Sequence, residues 1–184
     1  SGKTTLIKRF NGLLKPKRGR VLVFGVDTRG TSVAELSRKV GLVFQNPLHQ
    51  FFCETVWDEV AFALENFYGK VDPSKVLGVL EALGVAHLKD RSPFEISAGE
   101  QRRVAIASVL VYDPEAIVLD EPTAGLDYMS KRRLLALLRR LWARGRTVVV
   151  VSHDVEFLAL LPLTRLVVMN EGRVIFEGAP ARAF

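Results

Sequence analysis

The chain has 184 residues, 48% apolar and 25% charged, a length that fits one domain with a real core at the usual ~100–200 residues per domain. A single cysteine, Cys53, excludes an intrachain disulfide and suits a reducing compartment. No apolar run approaches the roughly 18 residues needed to span a bilayer. The net charge of +6 is spread along the chain without aromatic residues interleaved for base stacking, so no nucleic-acid partner is expected.

In chain order, Ser1-Gly2-Lys3-Thr4-Thr5 followed by Leu6-Ile7-Lys8-Arg9-Phe10 has the form of a phosphate-binding loop opening a helix. Such a loop turns backbone N–H groups toward a polyphosphate. Gly2 lets the backbone approach closely, Lys3 reaches the outer phosphates, and the Thr4 hydroxyl can ligate magnesium. Taken alone, the tetrapeptide is better read as a polar helix start; it gains weight only from an acid-tipped apolar strand far downstream. The helix is expected to run to Asn11-Gly12, followed by a turn at 16–19, a strand over 20–24 and a turn at 25–27. Thr31 is a candidate cap for a helix through Lys39, and 40–44 is a buried strand ending at Gln45.

From 47 to 112 the pattern turns helical. Residues 56–68 place Val56, Val60, Ala63, Leu64 and Phe67 on one face, and 73–83 form a second amphipathic helix begun by Asp72-Pro73. No strand signal intervenes between Gln45 and Ala116, which predicts a helical lobe, residues 46–112, inserted between two strands of one sheet. Ser97 opens a further helix, and Glu100 three residues on gives the spacing of a capping box.

Ala116-Ile117-Val118-Leu119 then reads as a strand buried on both faces, delivering Asp120 and Glu121 at its carboxyl end. Adjacent side chains of an extended chain point opposite ways, so the two acids are assigned different work. Residues 128–143 form a basic amphipathic helix with Leu134, Leu135, Leu138 and Leu141 inward. Residues 147–151 are a second buried strand ending at Ser152-His153-Asp154; 157–161 suit a core-facing helix, and 165–176 a hairpin turning at Glu171-Gly172. Three strands thus end in Gln45, Asp120-Glu121 and His153, and the crevice beyond the carboxyl ends of parallel strands is where an open α/β sheet places its chemistry.

The order of these features resembles that of ATP-binding-cassette (ABC) ATPases: a phosphate-loop remnant, a glutamine loop, a signature helix, an acid-tipped strand, the 124–127 loop and a late histidine. The likeness spans essentially the whole chain and is most specific from Ser97 to Asp127. Phe44-Gln45-Asn46-Pro47 with 55–62 further resembles the energising subunits of energy-coupling-factor and cobalt-type importers. The resemblance implies an α/β P-loop NTPase (RecA-like) core with a parallel sheet and the inserted helical subdomain. It also implies that 1–184 is a single cassette domain lacking its N-terminal strands, and that the chain so truncated would not hydrolyse ATP alone.

The site that the resemblance implies takes ATP and Mg2+. Ser1, Gly2, Lys3, Thr4 and Thr5 bind nucleotide, and Thr4, Gln45 and Asp120 are expected at the metal. Glu121, His153 and Gln45 are expected to be catalytic, with Glu121 polarising the attacking water and His153 at the γ-phosphate. Ser97, Ala98, Gly99 and Glu100 would contact a nucleotide held by an opposing subunit, and Asp127 would communicate across that pair. Ala98 stands where the family more often has glycine, and Glu100 where it often has glutamine. A second cassette subunit, identical or different, and an integral membrane component are the expected partners, at the cytoplasmic face of a membrane, with the segment around Gln50 to Trp57 meeting the membrane component. Two rivals stand beside this reading. A nucleic-acid-associated cassette would need a long coiled coil or a tandem cassette, and a non-hydrolysing regulatory cassette is disfavoured by the presence of Glu121 and His153.

Overall fold

The computed structural model describes residues 2–180. Its centre is a three-stranded parallel sheet in the order β3 (Val40–Val43), β4 (Ala116–Asp120), β5 (Thr147–Val151), with Val40 and Thr147 both opposite Ala116. Every residue of β4 is buried, and its side chains divide by the two-residue period of a strand. Ile117 and Leu119 enter a large core with the helices α3 (Val56–Tyr68), α4 (Pro73–Ala82), α5 (Ala98–Leu110) and α6 (Tyr128–Ala143). Ala116 and Val118 enter a smaller core on the other face, with Ile7 of α1 (Lys3–Ile7) and with Val40 and Leu42. Strand β4 is apolar as far as Leu119 because both of its faces are covered, and its one acid, Asp120, stands at its carboxyl end. The strand over 147–151 is only half-buried, since among the described residues β5 pairs on one side alone.

Between β3 and β4 the described chain holds helices and turns only. The extents of α3 and α6 match the sequence pattern, with Thr55 and Asp127 as N-caps and Gly69 in the left-handed conformation ending α3. Their buried faces differ in detail. Leu135 is only partly buried, and the fully covered face of α3 includes Glu59 and Ala61 rather than Ala63 and Phe67. Glu59 is tolerated there because its carboxylate accepts the N–H groups of Phe52 and Cys53, each at 2.9 Å. It thereby fixes the loop that precedes the helix.

The N-terminal helix is shorter than its sequence suggests. After Ile7 the hydrogen bonds tighten to a three-residue span, Arg9 N–H to Leu6 and Phe10 N–H to Ile7, and the chain turns toward Gly12. The strand expected over 20–24 is instead a small antiparallel pair, β1 (Leu22–Val23) and β2 (Val26–Asp27). Ser32, not Thr31, caps α2 (Val33–Lys39), through a capping box with Glu35. A short helix α7 (Val155–Ala159) follows β5, burying Phe157 but leaving Leu160 beyond it exposed. The hairpin β6 (Leu166–Asn170) and β7 (Arg173–Gly178) ends the described chain, with a register shift between Val168 and Met169.

Candidate active site at the strand ends

The two halves of the site meet through one hydrogen bond. Thr4, in the first turn of α1, donates its hydroxyl to Asp120 Oδ2 at 2.7 Å across 116 residues of sequence. Gly2, the residue before the helix, has φ +83, and a β-carbon there would lie 3.1 Å from the Gly172 α-carbon in the β6–β7 turn, so the loop needs glycine at that point. Lys3 is half-buried and its side chain makes no hydrogen bond among the described residues; Thr5 is exposed, and Ser1 lies outside the described residues.

Asp120 is 2% exposed at the last position of β4. Glu121 leaves the strand in the left-handed region, with φ 50, while its N–H extends the ladder to the Val151 carbonyl at 2.7 Å. The two acids therefore do diverge, but by a backbone turn at Glu121 rather than by the alternation of an extended strand. Asp120 faces Thr4 and Glu121 faces the end of β5. One carboxylate oxygen of Glu121 accepts Ser152 Oγ at 3.3 Å and the His153 N–H at 3.2 Å. The other, Oε1, is buried and accepts no hydrogen bond, although His153 Nε2 stands 3.3 Å away on a side chain that is 77% exposed. A carboxyl group with one buried oxygen free of hydrogen bonds is suited to hold a water or take a proton.

Gln45 follows β3 by two residues at the same end of the sheet, without a hydrogen bond from its side chain among the described residues. The oxygen set of Thr4, Asp120 and this free amide fits a magnesium ion, which takes hard oxygen ligands and is commonly held by one or two carboxylates together with substrate phosphates. No cluster of three or more His, Cys, Asp or Glu side chains is poised for a metal among the described residues.

No hydrogen bond joins the segment 97–100 to this group among the described residues. Ser97 is the exposed N-cap of α5, and its hydroxyl and N–H both donate to Glu100, at 2.7 and 2.8 Å. The Ser97 hydroxyl bond holds the Glu100 carboxyl below the usual range. Ala98 is exposed, and Gly99 packs so closely that a β-carbon would lie 3.1 Å from the Gly125 carbonyl oxygen. Asp127 caps α6, accepting the Ser130 N–H at 2.7 Å and its hydroxyl at 3.2 Å, which lowers its pKa. Arg103 donates to the same Ser130 hydroxyl. The start of α5 and the loop before α6 thus form one ledge.

Sequence reasoning missed Ser152 and Arg102. Ser152 adjoins His153, and its neighbour was the only signal. Arg102 is 6% exposed and donates Nη1 to the Phe44 carbonyl at 3.4 Å; an arginine in a basic helix start reads as solvent-facing, so nothing in the pattern marked it.

Among known protein families, the model described as ABC transporter matches residues 1–124. The chain is 46% identical to the energy-coupling factor transporter ATP-binding protein EcfA2 of Symbiobacterium thermophilum, aligning over 100% of this chain and 65% of that protein. Among solved structures it is similar to CbiO1 from Clostridium perfringens, part of the ABC transporter complex CbiONQ, with a TM-score of 0.80 and 36% identity over 99% of this chain and 74% of that one. It is also similar to the ATP-binding cassette MJ0796 in a dimeric post-hydrolysis state bound to ADP and Pi, with a TM-score of 0.87 and 28% identity over 97% and 80% of the two chains.

Proposed function

The chain belongs to the ABC transporter family of ATPase cassettes, and from that premise we propose that it is the ATP-hydrolysing subunit of an energy-coupling-factor importer of a micronutrient, a vitamin or a metal ion. The likeness to EcfA2 and to CbiO1 supports the importer class. The observation that carries the catalytic reading is the Thr4–Asp120 hydrogen bond, which brings a phosphate-loop hydroxyl to a buried carboxylate at a strand end.

In this reading Gly2, Lys3, Thr4 and Thr5 receive the phosphates, and Thr4, Gln45 and Asp120 hold magnesium. When bound, the ion offsets charge on the β- and γ-phosphates. Glu121 orients the water that attacks the γ-phosphorus in line, the bond to the β–γ bridging oxygen breaks so that ADP leaves, and Glu121 accepts the water's proton at the carboxylate oxygen left without a hydrogen bond. His153 stabilises the γ-phosphate from the adjoining strand end. Ser97 to Glu100 and Asp127 serve a nucleotide on a second cassette, so the working unit is a head-to-tail pair, of like or unlike subunits.

Residues 46–112 act as a lobe of this single cassette domain and carry the surface for an integral membrane component at the cytoplasmic face. Phe52 and Phe62 are 60% and 40% exposed and stack edge to face at 4.5 Å, near a cleft lined by Cys53, Trp57, Asp58 and Glu65. Exposed aromatic side chains held rigidly are common anchors of protein interfaces. No helix among the described residues is long and apolar enough to cross a membrane, so translocation is assigned to that partner.

The test is Glu121→Gln in the complete subunit assembled with its partners. Amide for carboxylate keeps the shape and removes the base, so ATP binding is retained while steady-state hydrolysis falls about 10²–10⁴-fold. Turnover within a few-fold of the unsubstituted subunit removes Glu121 from this role.

A further inference from the structure

Arg102 lies in α5, one turn beyond the Ser97–Glu100 capping box, and is 6% exposed. A buried guanidinium is costly unless ion-paired, yet no carboxylate lies within ion-pair distance of it among the described residues. Its Nε is buried without a partner, and its Nη1 donates to the carbonyl of Phe44, 58 residues away, at 3.4 Å. Burial lowers its pKa, against the attraction of Asp120 and Glu121. Three elements therefore converge on this cation: the signature helix α5, the end of β3 and the acid-bearing end of β4.

The acceptor's location gives this contact its consequence. The Phe44 carbonyl and the Gln45 N–H belong to one planar peptide unit, so a donor that fixes the carbonyl also fixes the plane from which Gln45 departs. Gln45 itself is exposed and has no hydrogen bond among the described residues to hold it. We propose that Arg102 is the positioning residue for Gln45, tying the glutamine at the end of β3 to the helix whose first turn carries Ser97 and Gly99. The planar guanidinium gives this contact a defined direction, so the Phe44–Gln45 peptide is oriented relative to α5. This inference rests on the role given to Gln45 under the proposed function.

The experiment is a double-mutant cycle in the complete, partner-assembled subunit, using Arg102→Met, Arg102→Lys, Gln45→Ala and the two combinations, read as kcat and KM for ATP. Because small misplacements at a reacting centre cost up to about 10²-fold, Arg102→Met is expected to lower kcat about 10- to 100-fold, with KM changed less than about two-fold. Arg102→Lys should recover part of the loss, and neither change should lower kcat further in the Gln45→Ala background. If Arg102→Met does not fold, Arg102→Lys alone carries the comparison, with a smaller loss that again vanishes once Gln45 is alanine. Multiplicative losses, or Arg102 variants with unchanged kcat, overturn the inference while leaving the proposed function standing. Undiminished turnover in Gln45→Ala removes the role of Gln45, and the inference falls with it.

Discussion

Glu121 is held at the site in a backbone conformation that a non-glycine residue adopts at a cost of roughly 1–3 kcal/mol. Its N–H bond to Val151, together with the Ser152 and His153 donors on its carboxylate, offsets that cost and aims the side chain away from Asp120. Thr4 has the complementary task of meeting Asp120, which is almost fully buried. Thr4→Val keeps the branched shape and removes the donated proton. Since a hydrogen bond to a charged group contributes about 1.5–3 kcal/mol, the nucleotide-free subunit should lose roughly that much stability, and magnesium should no longer tighten nucleotide binding. Denaturant unfolding and nucleotide titrations with and without magnesium measure both. If magnesium still raises the affinity of the variant as it does that of the unsubstituted subunit, Thr4 is not a metal ligand.

At the scale of elements, packing explains what pattern alone could not. Gly41, inside β3, looks in the sequence like a weak point in a strand. The structure gives its reason: a β-carbon there would lie 2.3 Å from Val109 Cγ1 and 3.0 Å from the Tyr112 hydroxyl, so α5 and the loop beyond it can seat against the sheet only over a bare backbone. Gly41→Ala should therefore destabilise by about 1–3 kcal/mol, as overpacking does, and a thermal midpoint equal to that of the unsubstituted protein would contradict it. The difference marks where the sequence was legible. The apolar strand tipped by Asp120, the helices over Val56–Tyr68 and Tyr128–Ala143, and the Ser97–Glu100 cap all rest on periodicity and local hydrogen bonding, which neighbouring residues determine. The burial of Glu59 and Arg102 rests on contacts that only the folded chain creates: loop N–H groups for the first and a carbonyl on another element for the second. The convergence of strand ends was readable from chain order; the turn at Glu121 that separates its two acids was not.

For the whole molecule, the separation of two surfaces governs the proposed mode of action. Thr4, Asp120, Glu121 and His153 gather at the ends of β4 and β5, whereas Ser97 and Gly99 share their ledge with the Gly125–Asp127 loop. No hydrogen bond joins the two groups among the described residues. If the ledge serves a nucleotide, it is one presented by another cassette, and a bulky cation at its tip should block approach without touching the chain's own phosphate residues. Ser97→Arg should accordingly leave ATP affinity of the monomeric subunit unchanged, yet abolish the ATP-dependent pairing expected of the Glu121→Gln form, in which bound nucleotide persists. A helix cap contributes only about 1 kcal/mol, so the fold should survive the substitution, and a thermal melt verifies that it has. Size-exclusion chromatography of Glu121→Gln with and without Ser97→Arg, each in ATP and magnesium, separates the alternatives: an undiminished ATP-induced pair in the double variant would mean that Ser97 only caps its helix.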